Sequence, residues 1–155
     1  MNKAEIGIRP LKPGDITAVM QLHRELGWNP AFHADGSTLK QRLEALITEE
    51  SALLLVAELG DRVAGYIHGE IVTYLLFAGR EMLVSELFVM ADARGQGVGK
   101  ALMNAIETEA VKRKCFRICV LNSRERESYK RGFYPALGYE ERSHTANFTK
   151  RLDWG

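Results

Sequence analysis

No stretch of the 155-residue chain is apolar for long enough to span a bilayer, and the opening MNKAEIGIRPLKPGD has no secretory apolar core. Charge of one sign is also missing. Twenty-one basic residues against 20 acidic ones leave a formal +1, so the sequence offers no broad field for nucleic acid or a membrane surface. Cysteine is scarce: Cys115 and Cys119 fall on one apparent strand, too far apart for an easy disulfide, and read as buried, reduced thiols. No His/Cys/Asp/Glu cluster has metal-ligand spacing, so no metal is expected. Internal repeats and low-complexity segments are absent as well. What remains is a 46% hydrophobic chain, enough for one domain over residues 1–155 with a real core, expected in the cytoplasm.

The informative stretch is Met82 to Asn104, MLVSELFVMADARGQGVGKALMN. Leu83, Val84, Leu87, Phe88 and Val89 read as a largely buried strand. Gly95, Gly97 and Gly99 follow between Arg94 and Lys100, and Val98, Leu102, Ala105 and Ile106 then recur at helical spacing. Strand, glycine loop and helix in that order aim backbone N–H groups and the positive end of a helix at one point, where anions bind. Two familiar phosphate loops fail on spacing. The triphosphate loop needs four residues before its Gly-Lys and a Ser or Thr after it, and Ala101 stands there; the dinucleotide fingerprint needs a glycine where Lys100 stands.

The spacing Arg94-Gly95-Gln96-Gly97-Val98-Gly99 matches (Q/R)-x-x-G-x-(G/A), directly after Ser85-Glu86-Leu87-Phe88-Val89. With Gly132-Phe133-Tyr134-Pro135-Ala136-Leu137-Gly138-Tyr139 as a second segment, the chain resembles the GNAT superfamily of N-acetyltransferases over nearly its whole length. The resemblance implies an α/β (α+β) fold: a mixed central sheet of about six to seven strands, splayed at the cofactor site and flanked by about four helices. It implies acetyl-coenzyme A as cosubstrate and direct transfer to a primary amine through a tetrahedral intermediate. By that analogy Leu87, Phe88 and Val89 hold the pantetheine arm, and Arg94, Gly95, Gln96, Gly97, Val98, Gly99 and Lys100 hold the diphosphate. Asn122, at the end of the following strand, joins the cofactor contacts.

Tyr134 occupies the position of the tyrosine that protonates the departing thiolate in the family, and a phenol with a pKa near 10 suits a thiolate of similar basicity. Glu86, facing the cleft with Ser85 and Leu87 turned the other way, is expected to accept the amine proton; the alternatives are a glutamate satisfied by a neighbouring hydroxyl or arginine, or one that only orients the substrate. Trp28, Phe32 and His33, with Asn29 and Asp35, lie where the family builds its acceptor wall, and His68 and Glu70 share a face of the preceding strand. Between Asn122 and Tyr134 the chain is longer than many relatives. Arg124 and Arg126 in that insert would suit an anionic acceptor such as an aminophosphonate, whereas a polyamine or aminoglycoside would want carboxylates, and this chain is not notably acidic. The ending resembles small-molecule members, including aminoalkylphosphonate and aminoglycoside-type acetyltransferases, more than the ribosomal-protein branch. The partner expected is therefore a small-molecule amine, with a homodimer through exchange of the last strands left open. Two alternatives stand beside this reading: a regulatory domain that binds acetyl-coenzyme A without turnover, and a peptide N-terminal acetyltransferase.

The local pattern completes the expectation. Ile6–Pro10 reads as an edge strand, Asp15 as the N-cap of a first helix, and Thr38 with Gln41 as the start of a second. Ala52–Leu59 and Val63–Val72 read as a hairpin turning at Gly60-Asp61-Arg62. After a strand over Phe116–Leu121 comes a short helix through Tyr129, Phe133 and Leu137, then a terminal strand pair over Tyr139–Arg142 and Ala146–Leu152.

Overall fold

A computed structural model describes residues 5–27 and 34–153. Two compact units divide it, Met1–Leu121 and Asn122–Gly155. The first holds five strands in the order β1-β2-β3-β4-β5: β1 (Ile6–Pro10), β2 (Ala52–Leu59), β3 (Arg62–Thr73), β4 (Arg80–Val89) and β5 (Cys115–Val120). The first four pair antiparallel and β5 joins β4 in parallel, so the sheet is mixed. Helices α1 (Ile16–Glu25), α2 (Gly36–Thr48) and α3 (Val98–Lys112) cover it. β2 is buried from Ala52 to Ala57 without alternation, as a strand covered on both faces must be. The apolar stripe of α3, Val98, Leu102, Met103, Ile106 and Ala110, is buried in full.

Two helix starts differ from the sequence reading. Asp15 does precede α1, but its carboxylate makes no cap. It accepts instead from the Lys12 N–H at 2.8 Å and from the Arg9 guanidinium at 2.7 and 2.9 Å, a bidentate ionic pair that outcompetes a neutral cap. α2 begins two residues before Thr38, because Asp35 caps it by accepting from the Thr38 N–H at 2.7 Å.

Arg9 bonds Glu58 as well as Asp15, and its hydrogen bond holds the Asp15 carboxyl below the ordinary 3.8 even though burial opposes this. A depressed carboxylate stabilises the fold above its unfolded pKa and loses that contribution as pH falls through the folded value. Asp15→Asn is therefore expected to cost about 1–2 kcal/mol near neutrality, with the gap to wild type closing below about pH 4. Urea titrations of both proteins across that range check it; a gap independent of pH would be the contrary result.

Among the described residues the strand count is five rather than six to seven. Neither Tyr139–Arg142 nor Ala146–Leu152 forms a strand; described residues 140–153 are exposed, Phe148 and Leu152 included. An isolated strand pair with no buried face has nothing to offset its ordering cost. The second unit instead carries α4 (Glu127–Lys130) and a 3-10 turn over Pro135–Leu137, closed by Gly138 at φ +88°. The short helix read through Leu137 is thus broken in two at residues 131–134.

Candidate active site

The site begins where two strands part. β4 and β5 pair from Arg80↔Cys115 to Val84↔Val120 and no further, so Ser85–Val89 is laddered only to β3. The Met90 N–H bonds the Ala64 carbonyl at 2.9 Å, and successive amides of a strand alternate sides. The Phe88 N–H therefore faces β3, while those of Leu87 and Val89 face the open edge. The Val89 carbonyl also faces that edge and accepts from Arg94 Nε at 3.1 Å.

The glycine loop follows directly. Gly95 and Gly97 adopt φ of +74° and +94°, a region closed to most side chains, and Gly97 caps α3. The first helical bond runs from the Ala101 N–H to the Gly97 carbonyl, so Val98, Gly99 and Lys100 present N–H groups with no carbonyl behind them in the helix. Gln96 Nε2 donates to the Asp92 carbonyl at 2.8 Å, and Arg62 ion-pairs with Asp92 at 2.9 Å, bracing the turn before the loop. Lys100 is exposed.

On the α1 side of the sheet lies a polar group of another kind. The β3–β4 register slips between His68↔Glu86 and Gly69↔Val84, leaving Ser85 as an extra residue. This bulge corrects the expectation that Ser85 faces away from Glu86. An inserted residue turns two consecutive side chains to one face, and Ser85 Oγ lies 3.2 Å from Nδ1 of His68, the residue paired with Glu86. His68 is buried, 3.5 Å from the exposed Glu70 carboxylate, and its Nε2 makes no hydrogen bond. Glu86 is half-buried and accepts from the Tyr66 hydroxyl at 2.7 Å. That hydroxyl also lies 2.6 Å from His23 Nε2 of α1. Burial first, and then the Glu86 charge, push the Tyr66 phenol far above its ordinary value, so it is a neutral donor.

Tyr66 and His23 were missed in the sequence. Tyr66 precedes His68 and Glu70 by two and four residues on one strand, and that period was the available signal. Nothing in the periodicity singles out His23.

In the second unit Tyr134 stands just before the Pro135–Leu137 turn, its ring edge-on to Phe133 and Tyr139 at 5.0 and 6.0 Å. Burial pushes its phenol above the ordinary value. Asn122 Oδ1 accepts from Ser128 Oγ at 3.1 Å, while its Nδ2 is buried without a partner. Arg124 is held by Glu141 at 2.6 Å, and Tyr129 donates to the same carboxylate at 2.8 Å. Arg126 is exposed at the start of α4. Trp28, Phe32 and His33 lie outside the described residues; Asp35 is the helix cap.

A strand parted from its parallel neighbour and running into a glycine loop at a helix start is one feature the sequence resemblance had implied. The model of the Acetyltransferase (GNAT) family matches residues 19–139, most of the chain. The chain belongs to the GNAT family. Solved structures agree in fold. A transcriptional regulator from Bacillus halodurans C-125 superposes with TM-score 0.80 at 20% identity, over 96% of this chain and 100% of that one. Glucosamine-6-phosphate N-acetyltransferase from Arabidopsis thaliana gives 0.78 at 18% identity over 96% and 99%. An aminoglycoside acetyltransferase from an uncultured soil metagenomic sample, in complex with trehalose, gives 0.77 at 18% over 96% and 97%. As a GNAT chain this one has a mixed sheet covered by helices α1, α2 and α3, and none of its described helices is long and apolar enough to cross a membrane.

Proposed function

We propose that this GNAT chain transfers an acetyl group from acetyl-coenzyme A to the primary amine of a small molecule. The supporting observation is the end of the β4–β5 ladder at Val84↔Val120. From there to Lys100 one continuous stretch offers two sets of N–H groups, first Leu87 and Val89 on a strand edge, then Val98 to Lys100 at a helix start. Edge amides suit an arm that itself contains amides, and a helix start suits a diphosphate. The cosubstrate supplies the activated acetyl thioester. Leu87 and Val89 orient its arm, the loop holds its phosphates, and Arg94 stiffens the junction through the Val89 carbonyl.

Glu86 is the base in this reading. Its Oε2 is occupied by Tyr66, and the carboxylate keeps a second oxygen with which to take a proton from the amine. Tyr134 is the acid, assigned by its place in the Phe133-Tyr134 motif.

The acceptor side favours a hydroxylated, cationic amine. Around the bulge stand two carboxylates, Glu70 and Glu86, beside Tyr66, Ser85 and His68, and the strand face they share carries no lysine or arginine between Tyr66 and Glu70. Carboxylates attract an ammonium, and hydroxyl-bearing groups pair with substrate hydroxyls. Arg124, the candidate for an anionic acceptor, is engaged by Glu141. One neighbour in fold is named an aminoglycoside acetyltransferase, and aminoglycosides fit the same description. The test is coenzyme A release from acetyl-coenzyme A against aminoglycosides, amino sugars, polyamines, aminoalkylphosphonates, amino acids and short peptides. Turnover concentrated in hydroxylated amines is expected. Tight binding of acetyl-coenzyme A with no acceptor in the panel would favour a sensor, and a preference for peptides would favour N-terminal acetylation.

A further inference from the structure

We propose that Tyr66 joins Glu86 to His23 in a proton-transfer chain, so that a proton accepted in the cleft leaves through α1; the inference rests on the acetyltransferase reading of Glu86. Three separate elements supply the three groups. Their spacings, 2.6 Å from His23 Nε2 to the Tyr66 hydroxyl and 2.7 Å from there to Glu86 Oε2, are both within direct proton-transfer reach. Tyr66 is 1% exposed, and Phe88 packs edge-on against both the Tyr66 and the His23 ring, at 5.6 and 6.1 Å. The middle of the chain is therefore shielded while His23 is half-buried.

One hydroxyl carries one proton, which limits the chain to two arrangements. With Glu86 ionised, Tyr66 donates to Oε2, so His23 must donate through an Nε2–H. With Glu86 protonated, its carboxyl turned so that the oxygen that took the amine proton faces Tyr66, and with His23 neutral with its proton on Nδ1, both bonds reverse. Passing from the second arrangement to the first breaks the Glu86 O–H bond as a Tyr66 O–H bond forms. The original Tyr66 proton bonds to Nε2. The products are a carboxylate, an unchanged phenol and an imidazolium, so one proton has moved and nothing has been oxidised or reduced. Tyr66 stays neutral at both ends, as its buried position requires. Histidine is the side-chain type that takes up and releases protons near neutral pH, and His23 supplies one at the end of the chain. Glu86 is then ionised again for the next amine.

Among the described residues, Tyr66 from β3 and, beyond it, Glu86 from β4 face His23. On its own helix Arg24 and Glu25 are neighbours in sequence, and Glu25 accepts from the Ala91 N–H at 3.1 Å. A purely structural role would have Tyr66 only orienting Glu86, and two measurements on the full chain separate the roles. The first follows the imidazole nitrogens by NMR across pH, with His23 assigned by His23→Gln. Glu86→Gln is expected to lower the His23 midpoint by about half a pH unit, and by less than half as much in a Tyr66→Phe background, where the ring remains but the link is cut. An unchanged midpoint, or an effect undiminished by Tyr66→Phe, overturns the chain.

The second is turnover. Tyr66→Phe is expected to lower kcat about tenfold with the KM for acetyl-coenzyme A unchanged. Losing a bond donated to the carboxylate also raises the Glu86 pKa, so the acid limb of kcat/KM moves to higher pH. A kcat within twofold of wild type and an unmoved acid limb count against the chain. Wild type inactive on every amine would refute the acetyltransferase reading, while the NMR coupling still decides whether the link exists.

Discussion

Replacing Tyr134 with Phe is expected to lower kcat about a hundredfold and to leave the KM for acetyl-coenzyme A within about twofold. The two side chains differ by one hydroxyl, and the ring packing on Phe133 and Tyr139 survives the change. Folding and cosubstrate binding should therefore persist. What goes is a proton held ready for the leaving thiolate. Burial raises the Tyr134 phenol above its ordinary 10.0, so the acid form is retained throughout the neutral and mildly alkaline range. The basic limb of the wild-type profile set by this group accordingly lies above pH 10, and kcat should not fall on its account below that. Steady-state thiol release, measured for both proteins at saturating acceptor, gives the comparison. A variant retaining half of wild-type kcat would remove Tyr134 from the chemistry.

The second large effect concerns stability and reaches the site through the backbone. A Cβ at Gly65 would lie 2.6 Å from the Phe88 carbonyl oxygen and 3.3 Å from Val89 Cα, with Val98 Cγ1 of α3 also at 3.3 Å. The nearest atoms belong to the main chain, so no side chain can swing aside. Gly65→Ala must displace β4, and overpacking of this kind costs about 2–3 kcal/mol. For a chain of this size that lowers Tm by roughly 5–10 °C. The displaced residues carry the outward amides, so the KM for acetyl-coenzyme A should rise in the same variant, unlike in Tyr134→Phe. Calorimetry with parallel kinetics tests both halves, and an unchanged Tm would mean that the sheet absorbs the added methyl.

These two residues also mark what the sequence disclosed. β2 and the β2–β3 turn were legible because apolar runs broken by Gly60-Asp61 have few other readings. The loop from Arg94 to Lys100 was legible because glycine spacing carries a backbone requirement directly. The Ser85 bulge was not, since alternation presumes an unbroken register, and one extra residue reverses every assignment beyond it. The bond from Tyr66 to Glu86 joins side chains 20 positions apart and depends on that bulge; His23 is 43 positions from Tyr66 and sits on another element. Local patterns do not encode such pairs. The ends of the chain show the opposite limit: the residues of Tyr139–Arg142 and Ala146–Leu152 are compatible with strands, but nothing in them specifies a buried face or a partner to pair with.

β4 divides its labour between edge and face. Its open edge offers only peptide groups, and a peptide N–H is the same whichever side chain it accompanies. Its α1-side face, with Ser85 and Glu86 beside Tyr66 and His68, works entirely through side chains. Substitution can therefore rewrite the face without touching the edge. On the proposed reading the edge can keep one acetyl donor while the face is rebuilt for another acceptor, and the fold itself persists between chains that share only a fifth of their residues.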